Sequence, residues 1–437
     1  MRFVRAEQVF PLLQRSILAD GYSVIMDLEK SRGARFVDAA SGRTWIDFFS
    51  FFASNPIGYN HPRMSEPEFE RHLLKVAKLK ISNSDVYSTY MAEFVNYFHD
   101  HFAPQFDKLF FIEGGALAVE NAIKTAQDWK VRLNLKKGKR GVGGQVLHFQ
   151  HAFHGRTGYT LTLTNTVPDK TDYFPKFDWP RVSTPEMRFP LTPESIKDLR
   201  LRESESIQQI HRAFDERKDE ICAIVLETIQ SEGGDNHFSR EFLQELKKIS
   251  LERECLLIFD EVQAGMGITG KTWAFEHFDV LPDIIAFGKK VQVCGIAVRL
   301  ERLQEVDHVF KVPSRINSTW GGNIVDMVRS HQYMRIIKEE NLLQHVSQLG
   351  EKMLSEFVKL SHEDERVTNA RGRGFLMAFD MPTPDQRDRL IDKLWDQGLL
   401  ILKSGKRTIR VRPVLDLKED EAMEGLQILR KTLKEFR

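Results

Sequence analysis

Three apolar runs of strand length constrain this chain more than any other feature: residues 221–226, 256–259 and 284–287. Each stops abruptly, the first at Glu227, the second at Asp260 and the third at Gly288-Lys289-Lys290. Two earlier strand candidates, 108–112 and 146–149, precede them, and stretches with helical spacing separate the runs. One such stretch has Leu117, Val119, Ala122, Ile123 and Ala126 within 116–130; another spans 239–254. Strand, loop and helix in repetition predict parallel strands with crossover helices, an α/β fold. In an open α/β sheet the carboxyl ends of the strands line the ligand crevice.

A carboxylate and a lysine emerging at that edge one strand apart suit pyridoxal phosphate. The lysine would form the Schiff base, and the carboxylate would partner the pyridinium nitrogen. An isolated Asp260 could equally be a cap or an ion-pair member, because a buried carboxylate is costly unless paired. Lysines usually sit in solvent, but Lys289 follows an apolar run and a small Gly288. A Schiff-base lysine needs a lowered pKa, from burial or from a nearby cation. Lys290 could supply that charge or be the nucleophile itself, and spacing does not separate two adjacent lysines.

Other strand ends carry further candidates. Gly114-Gly115-Ala116 lies between a strand and a helix, where unpaired amides suit a phosphate. His148, His151 and His154 recur at threes. With no acidic residue expected beside them and no convergence in an extended segment, no metal site is expected there. Phe153 suits the face of a flat cofactor, and Arg156 suits a bidentate grip on a carboxylate. Glu227 and Glu232 follow the 221–226 run. Arg410 and Arg412 alternate along a strand and face opposite sides, one of them toward solvent or a structural carboxylate.

The rest of the chain sets the frame. The first sixty residues read as a helix and a hairpin, with Ser41-Gly42-Arg43 as the turn. Residues 136–144 and 166–190 read as a surface loop and a long excursion. Two long helices, about 323–341 and 342–360, lead to strands at 372–379, 399–402 and 408–412 and a last helix at 419–436. These predict a smaller α+β domain behind a large one. A formal net charge of +1 implies no polyanion partner. Residues 1–20 lack a signal-peptide core, and no apolar run is long enough to span a bilayer. A cytoplasmic protein with no membrane or nucleic-acid partner is the expectation. Cys222 and Cys255 fall in apolar runs and should pack as small hydrophobes.

These residues carry a resemblance to a known family. The segments Asp260-Glu261-Val262-Gln263-Ala264-Gly265-Met266-Gly267, Phe287-Gly288-Lys289 and Ser318-Thr319-Trp320-Gly321-Gly322-Asn323 resemble the class III (omega) aminotransferases of the fold type I pyridoxal phosphate enzymes. The similarity runs from Trp45-Ile46-Asp47 to Arg410-Val411-Arg412-Pro413. Within the family, the segments 111–122 and 287–295 are similar to the lysine ε-aminotransferase branch. Ile268 stands where ornithine and 4-aminobutyrate aminotransferases usually carry Arg. Thr228, where those relatives usually have Pro, is a departure that says little about specificity.

The resemblance implies a mostly parallel central sheet in a large cofactor-binding domain, residues 61–325. It implies a small domain, 326–437, and an N-terminal segment, 1–60, that packs with it. It implies Lys289 as the Schiff-base lysine and proton shuttle and Asp260 on the ring nitrogen. Gln263 would contact the ring 3-hydroxyl, with Val262 and Phe153 on its two faces. Gly115 and Ala116 would hold the phosphate, helped by Thr319 of a neighbouring subunit in a homodimer, and Asn317 would lie at the site. Arg156 would bind the distant carboxylate, and Glu232 with Arg410 would form a switch between L-lysine and 2-oxoglutarate. The competing readings are an ornithine or 4-aminobutyrate aminotransferase, and a non-catalytic α/β binding scaffold whose strand-end charges are structural.

Overall fold

A computed structural model describes residues 4–436 of the chain. A short helix, Val9–Leu13, precedes the hairpin of β1 (Arg35–Val37) and β2 (Thr44–Asp47), which pair antiparallel. Asp38 closes the intervening turn by accepting the Ser41 amide at 3.0 Å, the self-bonding that suits Asp to turns.

Seven strands build the central sheet. They are β3 (Lys108–Ile112), β4 (Gln145–Phe149), β5 (Arg181–Val182), β6 (Ile221–Glu227), β7 (Leu256–Asp260), β8 (Ile284–Phe287) and β9 (Cys294–Val298). Their order is β3-β9-β8-β7-β6-β4-β5. β9 runs antiparallel to both neighbours, and every other adjacent pair is parallel. The expected mostly parallel sheet is therefore present. The sequence reading did not anticipate β9, whose small Gly295 and Ala297 weaken its apolar signal, or the two-residue β5 inside the 166–190 excursion.

Alternation along the central strands divides the interior into two layers. Val225, Ile258 and Ala286 pack with Ala122, Ile123 and Trp129 of the helix Gly115–Lys136. Leu226, Phe259 and Phe287 pack on the other face with Phe98, Phe242 and Trp273. Each side chain is withdrawn from water, worth about 1.5–3 kcal/mol for a large apolar group. The apolar runs are continuous because both faces are covered. Parallel register sets Glu227 beside Asp260 and Asp260 beside Ala286, so the three central strands end level. Asp260 falls on the face of Ile258, toward the helix that starts at Gly115.

The C-terminal third adds β10 (Thr368–Arg373), β11 (Leu376–Asp380), β12 (Leu399–Leu400), β13 (Leu402–Ser404) and β14 (Thr408–Val411). Two expectations are corrected here. Residues 372–379 are not one strand: β10 and β11 form a hairpin that turns at Gly374, with φ of 53°. Residues 399–402 are not one strand either. β12 pairs with β2 in a three-stranded sheet, whereas β13 joins the four-stranded sheet β10-β11-β14-β13. Apolar continuity concealed the second break, and the polar residues of β10 gave no signal of the first. The pairing of β2 with β12 ties the N-terminal hairpin to the C-terminal third. Among the described residues, no helix is long and apolar enough to cross a membrane.

Candidate active site

A cavity of about 770 Å³ opens at the carboxyl ends of β6, β7 and β8. Eleven of the candidates read from sequence line it: Gly115, Ala116, Phe153, Arg156, Glu227, Glu232, Asp260, Val262, Gln263, Lys289 and Arg410; His154 lines it as well. Asn317 and Thr319 do not. Both are exposed on the surface of this chain, where the Thr319 carbonyl accepts the hydroxyl of Ser84 at 3.2 Å.

Lys289 leaves β8 with a left-handed backbone, φ 49°, a conformation rare for a residue with a side chain and concentrated at functional sites. A Cβ on the preceding Gly288 would stand 2.8 Å from Cys294 Sγ, so a larger residue there would have to displace that thiol. Lys289 Nζ donates to the main-chain carbonyl of Phe52 at 2.8 Å. Phe52 belongs to Ser50–Ala53, four successive residues with positive φ. Asp47 holds this unusual turn by accepting the amides of Phe49 at 2.7 Å and Ser50 at 2.9 Å. Burial, and then the positive charge of Arg410, bring the Lys289 pKa down to about 8.

Lys290 differs from its neighbour. It is buried and donates to the carbonyls of Gln263 at 2.8 Å and Ala53 at 3.2 Å. It bridges backbone and does not line the cavity. The expectation that Lys290 could be the cation beside Lys289 is corrected: Arg410 is the leading one.

Asp260 Oδ1 accepts the Val262 amide at 3.0 Å, and Oδ2 faces His154 Nδ1 at 2.8 Å. Both side chains are almost fully enclosed. Burial opposes a charge on His154, but the hydrogen bond and charge of Asp260 outweigh it and raise the His154 pKa. The expectation of no acidic residue beside the histidines is therefore overturned. His154 was missed as a functional candidate because its partner lies 106 residues away in sequence. Glu227 accepts the amides of Phe153 and Ser231, each at 2.9 Å, and burial raises its carboxyl pKa to about 7. Thr228, read as uninformative, donates its hydroxyl to Glu261 at 2.6 Å behind the site.

The cavity holds two arginines in opposite states. Arg156 is exposed, and no hydrogen bond or ion pair to it is present among the described residues. Arg410 is 1 % exposed and donates to Glu232 Oε2 at 2.8 Å and to Gln263 Oε1 at 3.2 Å. Arg412 follows the end of β14 and forms a fully enclosed pair with Asp235, the structural carboxylate expected for one of the two. The expectation that the two arginines face opposite sides is corrected, because positions two apart along a strand share a face. A second cation, Lys170, pairs with Glu232 Oε1. Nothing in the irregular 166–190 stretch singled it out.

These residues fit pyridoxal phosphate. The first turn of the helix Gly115–Lys136 borders the cavity without a Cβ at Gly115, where one would press within 3.0 Å of Val262 Cγ1. Free amides at a helix start suit a phosphate. Each oxygen of Asp260 has one protein donor and keeps a second acceptor site. A lysine with a depressed pKa shares the cavity. A scaffold with purely structural strand-end charges does not account for unpaired Arg156 beside such a lysine.

Known proteins agree with this chemistry. The family model described as Aminotransferase class-III matches residues 17–433. An L-lysine-epsilon aminotransferase of Mycobacterium tuberculosis is 45% identical over 432 residues, covering 98% of this chain and 95% of that protein. The solved structure of a lysine aminotransferase from M. tuberculosis superposes with a TM-score of 0.96 at 45% identity, covering 99% of this chain and 100% of that one. A mitochondrial 4-aminobutyrate aminotransferase of Rattus norvegicus is 29% identical over 99% of this chain and 89% of that protein. Sheet order, cavity and sequence similarity over almost the whole length converge, and the chain belongs to the class III aminotransferases.

Proposed function

We propose that this enzyme transfers the ε-amino group of L-lysine to 2-oxoglutarate. The products are 2-aminoadipate 6-semialdehyde, which cyclises to a piperideine carboxylate, and L-glutamate. The contrast between unpaired Arg156 and neutralised Arg410 carries the reading. A donor with its amine at one end and a carboxylate at the other places that carboxylate on Arg156. Its uncharged methylenes then pass Arg410, which Glu232 has neutralised. A dicarboxylic acceptor fits once Glu232 turns away and Arg410 takes the second carboxylate. The greater similarity to relatives that bear the lysine name favours lysine over 4-aminobutyrate.

Pyridoxal phosphate, when bound, supplies a carbonyl for the amine and a protonated ring that accepts the electrons of a broken C–H bond. Gly115 and Ala116 would hold its phosphate through their amides. Asp260 would keep the ring nitrogen protonated, and the His154 contact fixes the position of that carboxylate. Gln263 would orient the ring hydroxyl, with Val262 and Phe153 over the two faces. Lys289 would anchor the cofactor at rest and carry the proton at the terminal carbon of the substrate during turnover. A pKa of about 8 leaves part of the Lys289 amine neutral near pH 7.

We assign Asn317 and Thr319 to the cavity of a second copy of the chain, in a homodimer with shared sites. Their exposure here, beside Trp320 with 37% of its surface open, supports that assignment. On the same reading, residues 61–325 hold the cofactor, while 1–60 and 326–437 form the smaller unit that presents Arg410. Lysine labelled with ¹⁵N at the ε position, incubated with enzyme and 2-oxoglutarate, should give labelled glutamate. A clear preference for ornithine or 4-aminobutyrate in parallel assays would overturn the choice of substrate.

A further inference from the structure

Glu232 is shared between two cations held in unlike ways. Its Oε2 accepts from Arg410 at 2.8 Å, and its Oε1 pairs with Lys170. Arg410 is fixed: it sits on β14, between β11 and β13, and its guanidinium is also held by Gln263. Lys170 ends the short turn Pro168–Lys170 at the cavity wall and is 28% exposed. Its ammonium lies 5.3 Å from the centre of the Phe153 ring and has no other acidic partner among the described residues. A lysine on a flexible stem follows a moving carboxylate where a buried arginine does not.

We propose that Lys170 is a positioning residue for the keto-acid half of the reaction, retaining Glu232 when the acceptor's carboxylate displaces it from Arg410. The role rests on the exchange proposed above for Glu232. Only 23% of the Glu232 side chain is exposed. Released from Arg410 with no second partner, it would be a largely desolvated anion beside an incoming dianion, which costs both desolvation and like-charge repulsion. Lys170 removes both penalties. It keeps Glu232 paired, and it leaves the charge of Arg410 free for the acceptor. In the amine half Glu232 already has Arg410, so Lys170 contributes little there. Arg410 and Lys170 together hold the Glu232 carboxyl below its usual range against the opposing effect of burial.

The test compares holoenzyme carrying Lys170→Met or Lys170→Arg with the unaltered protein. Lys170→Met should raise the KM for 2-oxoglutarate about five- to tenfold and leave the KM for lysine within about twofold. Binding of glutarate, an unreactive dicarboxylate, measured by calorimetry should weaken by a similar factor. Lys170→Arg should restore both. Unchanged glutarate binding in Lys170→Met, or a KM for lysine that rises as far as that for the keto acid, overturns the role. Unaltered enzyme that does not transfer nitrogen from lysine overturns the proposed function itself, before any variant is compared, and this role falls with it.

Discussion

His154 Nδ1 stands 2.8 Å from Asp260 Oδ2, with both side chains almost closed to water. The contact supports the carboxylate at the wall of the cofactor cavity, which both residues line. His154→Phe removes the donor and leaves a buried carboxylate short of one partner, at a cost of about 1.5–3 kcal/mol. Turnover should fall about 10- to 100-fold, with weaker cofactor retention. The stability difference has a definite sign with pH. The folded-state pKa of His154 is raised above 6.5. Its contribution is therefore fully present below pH 6.5 and lost as pH rises through the raised value. Denaturant unfolding of both proteins at about pH 6 and pH 9 checks this. A gap that is larger at the higher pH contradicts it.

The two adjacent lysines should separate cleanly. Lys289→Ala should abolish turnover and the near-visible absorbance of lysine-linked cofactor, while the fold persists. Lys290→Met should keep that absorbance. It should destabilise the protein by about 1–3 kcal/mol, because two buried carbonyls, of Ala53 and Gln263, lose their donor. A Lys290 variant without the band, alongside a Lys289 variant that keeps it, would reverse the assignment.

Why the sequence separated some of these roles and not others follows from where each signal resides. Asp260 and Lys289 were legible because each ends a local apolar run, and a strand buried on both faces writes itself as continuous hydrophobicity. Arg410 and Glu232 were legible through family resemblance. His154 was not, because its meaning lies in a contact across the sheet edge, made by a loop whose own pattern is neutral. Lys170 sits in irregular backbone with no periodicity to place it. The strand read at 372–379 merged the end of β10 with β11 because polar Thr368–Arg373 carries no strand pattern of its own and the two-residue turn at Gly374 abuts the apolar run of β11. Local pattern fixes strand ends, and tertiary contact decides which strand-end charges meet.

The pKa of Lys289, about 8, should govern how fast apo-protein captures pyridoxal phosphate. Only the neutral amine attacks the carbonyl, so the capture rate should climb as pH rises through about 8. After burial, Arg410 is the largest influence holding that value down. Arg410→Gln should therefore move the limb to higher pH. Stopped-flow absorbance across pH 6–10, at about constant ionic strength, measures it. A limb that stays in place or moves to lower pH contradicts the assigned cause.

The two arginines should divide the substrates. Arg156→Met should raise the KM for lysine and for 2-oxoglutarate, because both would place a carboxylate there. Arg410→Met should raise it chiefly for 2-oxoglutarate. Loss of a charge-assisted contact costs about 1.5–3 kcal/mol, or about 10- to 100-fold in each affected KM. Half-reactions followed separately by cofactor absorbance give the four values. Equal effects of both changes on both substrates would contradict an alternating role for Arg410.

The enclosed pair of Asp235 and Arg412 links stability to the site. Both side chains are 0% exposed, and Arg412 also donates to the Val411 carbonyl at 2.8 Å. Removing one member strands a buried charge, so Asp235→Asn should cost about 3–5 kcal/mol, visible as a lowered denaturation midpoint. A second effect follows from position. Arg412 adds to the cationic influence that lowers the Lys289 pKa. Without Asp235 that influence is less compensated, so the cofactor-capture limb should shift to lower pH, opposite to the shift in Arg410→Gln. Asp235 also lies three residues beyond Glu232, in a turn where its amide donates to the Ser231 carbonyl at 3.2 Å. Loosening that turn should weaken keto-acid binding as well. A destabilised Asp235→Asn protein whose capture limb moves upward would show that Arg412 acts on Lys289 through packing alone, not through charge.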